Sequence, residues 1–167
     1  MTLKYKVGCL IEATIKLDVD VLMHQCNCFN AMGAGIAPLI AKAFPEAEEA
    51  DNETVAGDIE KLGSYSSGYN EVYVVDIVNL YGQFTTSRVE QSTNYEALRK
   101  AIRSYVQSGE LDVWGVDASI GLPKIGAGLG GGDWSIISQI IEEELKGYSV
   151  IIYVLNESEI PKGGNEV

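Results

Sequence analysis

Two segments of the chain share one order of events: an apolar strand, a glycine-rich loop, then the start of a helix. Gly33 and Gly35 lie in FNAMGAGIA, behind the apolar run VLMHQCN. Gly126, Gly128, Gly130, Gly131 and Gly132 lie in IGAGLGGGDW, again behind an apolar strand. Of the 18 glycines in 167 residues, eight fall within Gly33–Gly35 and Gly121–Gly132, more than turning the chain requires. Such loops leave bare backbone amides at a helix N-terminus beside the carboxyl end of a strand, where open α/β sheets take ligands. Two of them can clamp one diphosphate from opposite sides.

The rest of the pattern supports that architecture. Strands are expected over Leu3–Leu10, Val19–Gln25, Glu71–Leu80, Val113–Leu122 and Ser149–Leu155. The runs VLMH, VYVVDIV and VIIYVL are continuous, as in strands buried on both faces. Between them lie helical periods. One opens at Thr93 with a capping-box pattern to Glu96 and stops at Gly109; a second runs from Asp133 to Gly147; a third begins near Gly35. Strands alternating with helices predict an α/β fold, a three-layer α/β/α sandwich with a mixed, mainly parallel sheet. One domain is expected over residues 1–160, with 161–167 as a flexible tail.

Composition narrows the function. The chain has 24 acidic and 12 basic residues, a net charge of −12. The pI near 4.4 argues against nonspecific binding to nucleic acid or anionic lipid, both polyanions, yet leaves room for a small anion held by amides. Cys9, Cys26 and Cys28 fit neither a disulfide framework nor a zinc site, so reduced thiols and no metal are expected. No cofactor is implied. No apolar run suits a membrane span and the N-terminus lacks a signal-peptide pattern, so a cytoplasmic monomer is expected. Gly126–Gly131 formally matches G-x-G-x-x-G, but only ten residues follow Glu157, too few for the βα units of a dinucleotide-binding fold.

HQCNCFNAMGAGIA paired with GLPKIGAGLGGGDW resembles the macrodomains, the fold that binds ADP-ribose, and the likeness runs from YKVGCLIEA to VIIYVLNE. His24 before Gln-Cys-Asn, then M-G-A-G-I-A and F-P-E-A, is similar to the branch of ADP-ribose 1″-phosphate phosphatases. The resemblance implies that Cys9 and Leu10 meet adenine, that Asn27 bonds the distal ribose, and that Gly33, Ala34, Gly35, Ile36 and Ala37 face that ribose and its phosphate. It implies further that Ile125, Gly126, Ala127, Gly128, Leu129 and Gly130 wrap the diphosphate and that Asn156 lies on the adenosine side. His24, the only histidine, then becomes the proton-transfer group, with Asp133 as its partner or as a helix cap, in metal-independent hydrolysis of ADP-ribose 1″-phosphate. A neighbouring branch removes ADP-ribose from modified macromolecules with a lysine and a loop aspartate. This chain has Gln83 and Gly130 instead. Hydrolysis of ADP-ribosyl linkages by substrate-assisted attack and non-catalytic reading of ADP-ribose remain as alternatives.

Overall fold

The computed structural model describes residues 3–86 and 91–167. Seven strands form one sheet: β1 (Lys4–Val7), β2 (Val21–Gln25), β3 (Tyr65–Asn70), β4 (Val75–Leu80), β5 (Ser119–Leu122), β6 (Ser149–Val154) and β7 (Asn165–Glu166). Their order is β3-β4-β2-β5-β6-β1-β7, and every pairing is parallel except the β3–β4 hairpin. Five α-helices cover it: α1 (Leu10–Ile15), α2 (Ala37–Ala43), α3 (Pro45–Asn52), α4 (Tyr95–Ser108) and α5 (Trp134–Glu144).

The alternation of side chains along each strand divides the core into two faces. Val21 and Met23 of β2, Val78 and Leu80 of β4 and Ile120 and Leu122 of β5 pack with Leu98, Ile102 and Tyr105 of α4 and Ile137 and Ile141 of α5. Leu22, Val75 and Ile77 point the other way, against Leu10, Ile40 and Ala47 from α1, α2 and α3. All six residues of β4 are buried, which is why its sequence runs without polar interruption every second residue. Each such aliphatic side chain contributes roughly 1.5–3 kcal/mol by leaving water.

Several boundaries differ from expectation, each for a local reason. The first strand ends at Val7, because Cys9 caps α1 and Leu10 turns into the core as its first residue. Of Glu71–Leu80 only Val75–Leu80 is strand: 71–74 is a turn, with Val74 at φ 50°, that joins β4 to β3, a strand the sequence reading did not include. Val113 and Val116 stand in solvent around a turn at Gly115, φ 82°, so β5 begins only at Ser119. The cap of α4 is Asn94, whose side chain accepts from Ala97 N at 3.0 Å; the hydroxyl of Thr93 is used elsewhere. Gly109 ends α4 in the left-handed region as expected, whereas α5 stops at Glu144, before Gly147. At the C-terminal end Asn165–Glu166 form the edge strand β7 on β1, and Val167 N donates to Tyr5 O at 2.8 Å.

The loops after β2 and β5 leave for opposite faces, one to α2 and the other towards α5. Neighbouring parallel strands whose connections diverge leave a crevice at their carboxyl ends.

Candidate functional site

That crevice is a cleft of about 440 Å³. One wall is 31–37, the other 123–130; residues 24–27 form its floor, and Gln83 and Thr86 stand beside it. The walls approach closely, since Leu129 Cδ1 lies 3.6 Å from where a Cβ on Gly35 would stand. Among the described lining residues there is no carboxylate. Lys124 contributes the one fixed positive charge, its Nζ donating to Glu159 O at 3.1 Å. The amide N–H groups of Gly33, Ala34, Gly35, Gly128, Leu129 and Gly130 line the cleft and donate to no acceptor among the described residues.

The first wall is shaped by Asn27, which is buried at the exit of β2. Its Oδ1 accepts from Phe29 N at 2.9 Å and its Nδ2 donates to Ala31 O at 2.8 Å, a side-chain turn that folds the chain back into the glycine loop. Part of the amide expected to meet a ribose is thereby committed to the loop itself.

His24 is 1% exposed and its ring is fixed from behind. Asn79 donates through Nδ2 to Ala47 O at 2.8 Å and to Ser66 Oγ at 3.0 Å, so its Oδ1 must accept from His24 Nε2, at 2.6 Å. Nδ1 faces Cys26 Sγ at 3.7 Å. Burial draws the imidazole down to a pKa of about 4, against which the Asn79 bond and the charge of Asp51 act only in part. The same burial pushes the Cys26 thiol up, so neither group ionises near neutrality. Behind them a buried network continues through Ser66 and Tyr81, which meet at 2.6 Å, to Asp51, on which Tyr81 Oη donates at 2.7 Å and Lys61 Nζ closes at 3.2 Å.

The second wall rests on the sequence Gly126–Gly132. Gly126 has φ 72°, and a Cβ there would lie 3.0 Å from Thr93 Oγ1 and 3.1 Å from Gln25 Oε1. A Cβ on Gly130 would fall against Thr93 Oγ1 and 2.8 Å from Gly126 O, so in this conformation no side chain fits at 130. Asp133 follows the loop, exposed, and accepts from Ser135 N at 2.9 Å and Ser135 Oγ at 2.7 Å, contacts that lower its carboxyl pKa. It is the N-cap of α5 and does not line the cleft.

The two expected catalytic groups are therefore not brought together: His24 bonds Asn79 and Asp133 bonds Ser135. Gly33–Ala37, Asn27, Ile125, Gly126, Gly128, Leu129 and Gly130 do line one cleft, while Ala127 packs towards the core instead. Cys9, Leu10 and Asn156 lie outside its lining: Leu10 is buried under α1, and Asn156 caps the turn 157–159. Gln25 and Lys124 are not singled out by the sequence, and Thr93 is read there only as a helix cap. A polar residue closing an apolar strand gives no sign of which loop it will meet.

A cleft of this kind, built from two amide-rich loops at the carboxyl edge of a parallel sheet, defines a class of domain that binds phosphate-bearing nucleotides. The macro domain model matches residues 23–141, and the chain belongs to the macro domain family. It is 37% identical over 155 residues, spanning 91% of this chain and 96% of the other, to a 17.5 kDa protein of the tk-vs intergenic region of Enterobacteria phage T4. It is 30% identical over 143 residues, 82% of each chain, to the ADP-ribose glycohydrolase OARD1 of Bos taurus. Among solved structures, the macrodomain of Thermus aquaticus DarG superposes with a TM-score of 0.69 at 24% identity, covering 91% of this chain and 98% of that one.

Proposed function

We propose that the cleft binds an ADP-ribosyl group and that the protein is a hydrolase releasing ADP-ribose from modified macromolecules. The loop amides on both walls that find no acceptor among the described residues, Gly33 to Gly35 and Gly128 to Gly130, carry this reading, since they suit the two phosphates of a diphosphate without needing a basic patch on a chain of charge −12. The bovine relative named as an ADP-ribose glycohydrolase supports the choice of reaction. Water adds across the bond between the anomeric carbon and the acceptor: hydroxide stays on the sugar and the proton leaves with the acceptor. With Gln83 and Gly130 in place of a lysine and an aspartate, and His24 held neutral from behind, the base is the substrate's own phosphate. The loop amides hold that phosphate in position and stabilise charge as it develops.

The same departure favours a second reading, hydrolysis of ADP-ribose 1″-phosphate, in which the leaving group is itself an anion suited to amide donors. Incubation with an ADP-ribosylated peptide, an ADP-ribosylated oligonucleotide and ADP-ribose 1″-phosphate separates the two. Free ADP-ribose from a modified macromolecule is expected. Phosphate from the third substrate alone assigns the second reading, and stoichiometric ADP-ribose binding without turnover on any substrate makes the domain a reader.

A further inference from the structure

The floor of the cleft holds one feature with a cost and no local benefit. Gln25 Oε1 is buried with no hydrogen-bond partner among the described residues. The amide cannot be turned round to relieve it. Gln83 uses Nε2 on Thr85 O at 2.7 Å, so it presents Oε1 to Gln25, 2.8 Å from Gln25 Nε2. Thr93 uses its only hydroxyl proton on Gly126 O at 2.8 Å, so towards Gln25 Nε2, 3.0 Å away, it can only accept. Both neighbours demand a donor, and the oxygen is left facing the space that Gly82 and Gly126 vacate, 2.5 and 3.1 Å from where their Cβ atoms would be.

Thr93 in turn holds the diphosphate wall at both ends. Its hydroxyl takes Gly126 O, and its backbone N–H donates to Gly130 O at 3.1 Å, beside Ser92 N on the same oxygen at 2.9 Å. Gly132 N closes on Gly126 O at 2.7 Å. With these two carbonyls fixed from behind, Gly128, Leu129 and Gly130 line the cleft and their amides find no acceptor among the described residues. Gly130 cannot carry a side chain because Thr93 Oγ1 and Gly126 O fill the place of its Cβ, so the hydroxyl of Thr93 does structurally what a side chain at 130 would otherwise obstruct.

We propose that Gln25 and Thr93 are positioning residues for the ligand: an uncharged amide–hydroxyl clamp that presets the wall 126–130 for the diphosphate, at the expense of one buried orphan acceptor. The proposal rests on the ADP-ribosyl reading of the cleft. It predicts that stability and binding respond in opposite senses. Gln25→Met removes the orphan oxygen and fills its volume, so the melting temperature stays level or rises, while the dissociation constant for ADP-ribose increases about tenfold or more as the loop loses its anchor. Thr93→Val, which keeps shape and loses the hydroxyl, weakens ADP-ribose binding similarly, and Thr93→Ser restores it to within about threefold of wild type.

Calorimetric titration with ADP-ribose and thermal melts of the four proteins test this. Wild-type binding, with weaker binding in Gln25→Met at unchanged or higher melting temperature and rescue by Thr93→Ser, is the expected result. If Gln25→Met melts far lower, the Thr93→Val and Thr93→Ser pair decides alone: rescue by the hydroxyl upholds the clamp, and equal affinity in the two overturns it. Wild-type affinity in Gln25→Met also overturns it, with the ADP-ribosyl reading intact. Failure of the wild-type protein to bind ADP-ribose removes both.

Discussion

The two glycine loops have one sequence signature and two physical reasons for it. In the first loop a Cβ on Gly33 would meet nothing within 4 Å, and one on Gly35, at φ 63°, would meet only the mobile end of Leu129. In the second, Gly130 and Gly132 are both pressed against the backbone oxygen of Gly126 and the side chain of Thr93. Glycine keeps the first wall low for something that is not protein. It lets the second wall close on the protein itself, and only Gly128, with open space around it, repeats there the role of Gly33.

Substitutions can break this asymmetry. The largest effect is expected at Gly130→Val, where branched carbon meets a buried hydroxyl and a backbone carbonyl. Stability should fall by about 3 kcal/mol in urea unfolding, with ADP-ribose binding lost as the wall moves.

The strand leading into the first loop carries an acid-sensitive group that the second lacks. His24 has its pKa lowered from 6.5 to about 4 by folding, so the unfolded chain binds the extra proton. Stability is whole above pH 6.5 and drains as pH falls towards 4, by on the order of 3 kcal/mol. Asp76 acts in the opposite sense, its carboxyl raised from 3.8 to about 6 by burial, so its contribution is lost as pH rises through 6. Urea unfolding of wild type against His24→Gln at several pH values isolates the histidine: the margin of wild type over the variant should shrink on acidification. A margin independent of pH would mean that the imidazole takes up its proton equally in the folded and unfolded chains.

Gly128→Val is expected to leave the melting temperature unchanged and weaken ADP-ribose binding about thirtyfold, because its side chain enters the cleft and nothing else. Its counterpart Gly33→Ala should change stability by less than about 0.5 kcal/mol, which a thermal melt would show. The smallest effect concerns salt. Binding through amides, with Lys124 the one cation among the described lining residues, should change affinity by less than about threefold between about 50 and 500 mM salt, and a steeper slope would indicate further cationic contacts.

Five of the seven described strands and both loops could be read from sequence because their signals are local: continuous apolar runs and glycine before a helix. The failures were tertiary. Thr93 and Asn94 are both good caps, and what decided between them was Gly126 O, 33 residues away, claiming the threonine hydroxyl. His24 could be picked out as the chain's lone imidazole, but not its environment: Asn79, which bonds it, Ser66, which bonds Asn79, and Asp51, whose charge acts on it, come from three other elements. Residues 161–167 carried no strand pattern, since two residues on an exposed edge need none.

The pairing of β1 between β6 and β7 has a further consequence, in time rather than space. All its ladder partners lie in β6 and β7, Lys4 pairing with Ile151 and Asn165. At about 5–20 residues per second, a ribosome needs about 7–30 s to deliver the partner of a strand it made first. During that wait Tyr5 has no sheet to join, whereas β2, β4 and β5 have one another. The strands bearing the cleft can thus assemble on the nascent chain, and docking of β1 is a late, long-range closure of the kind that slows folding.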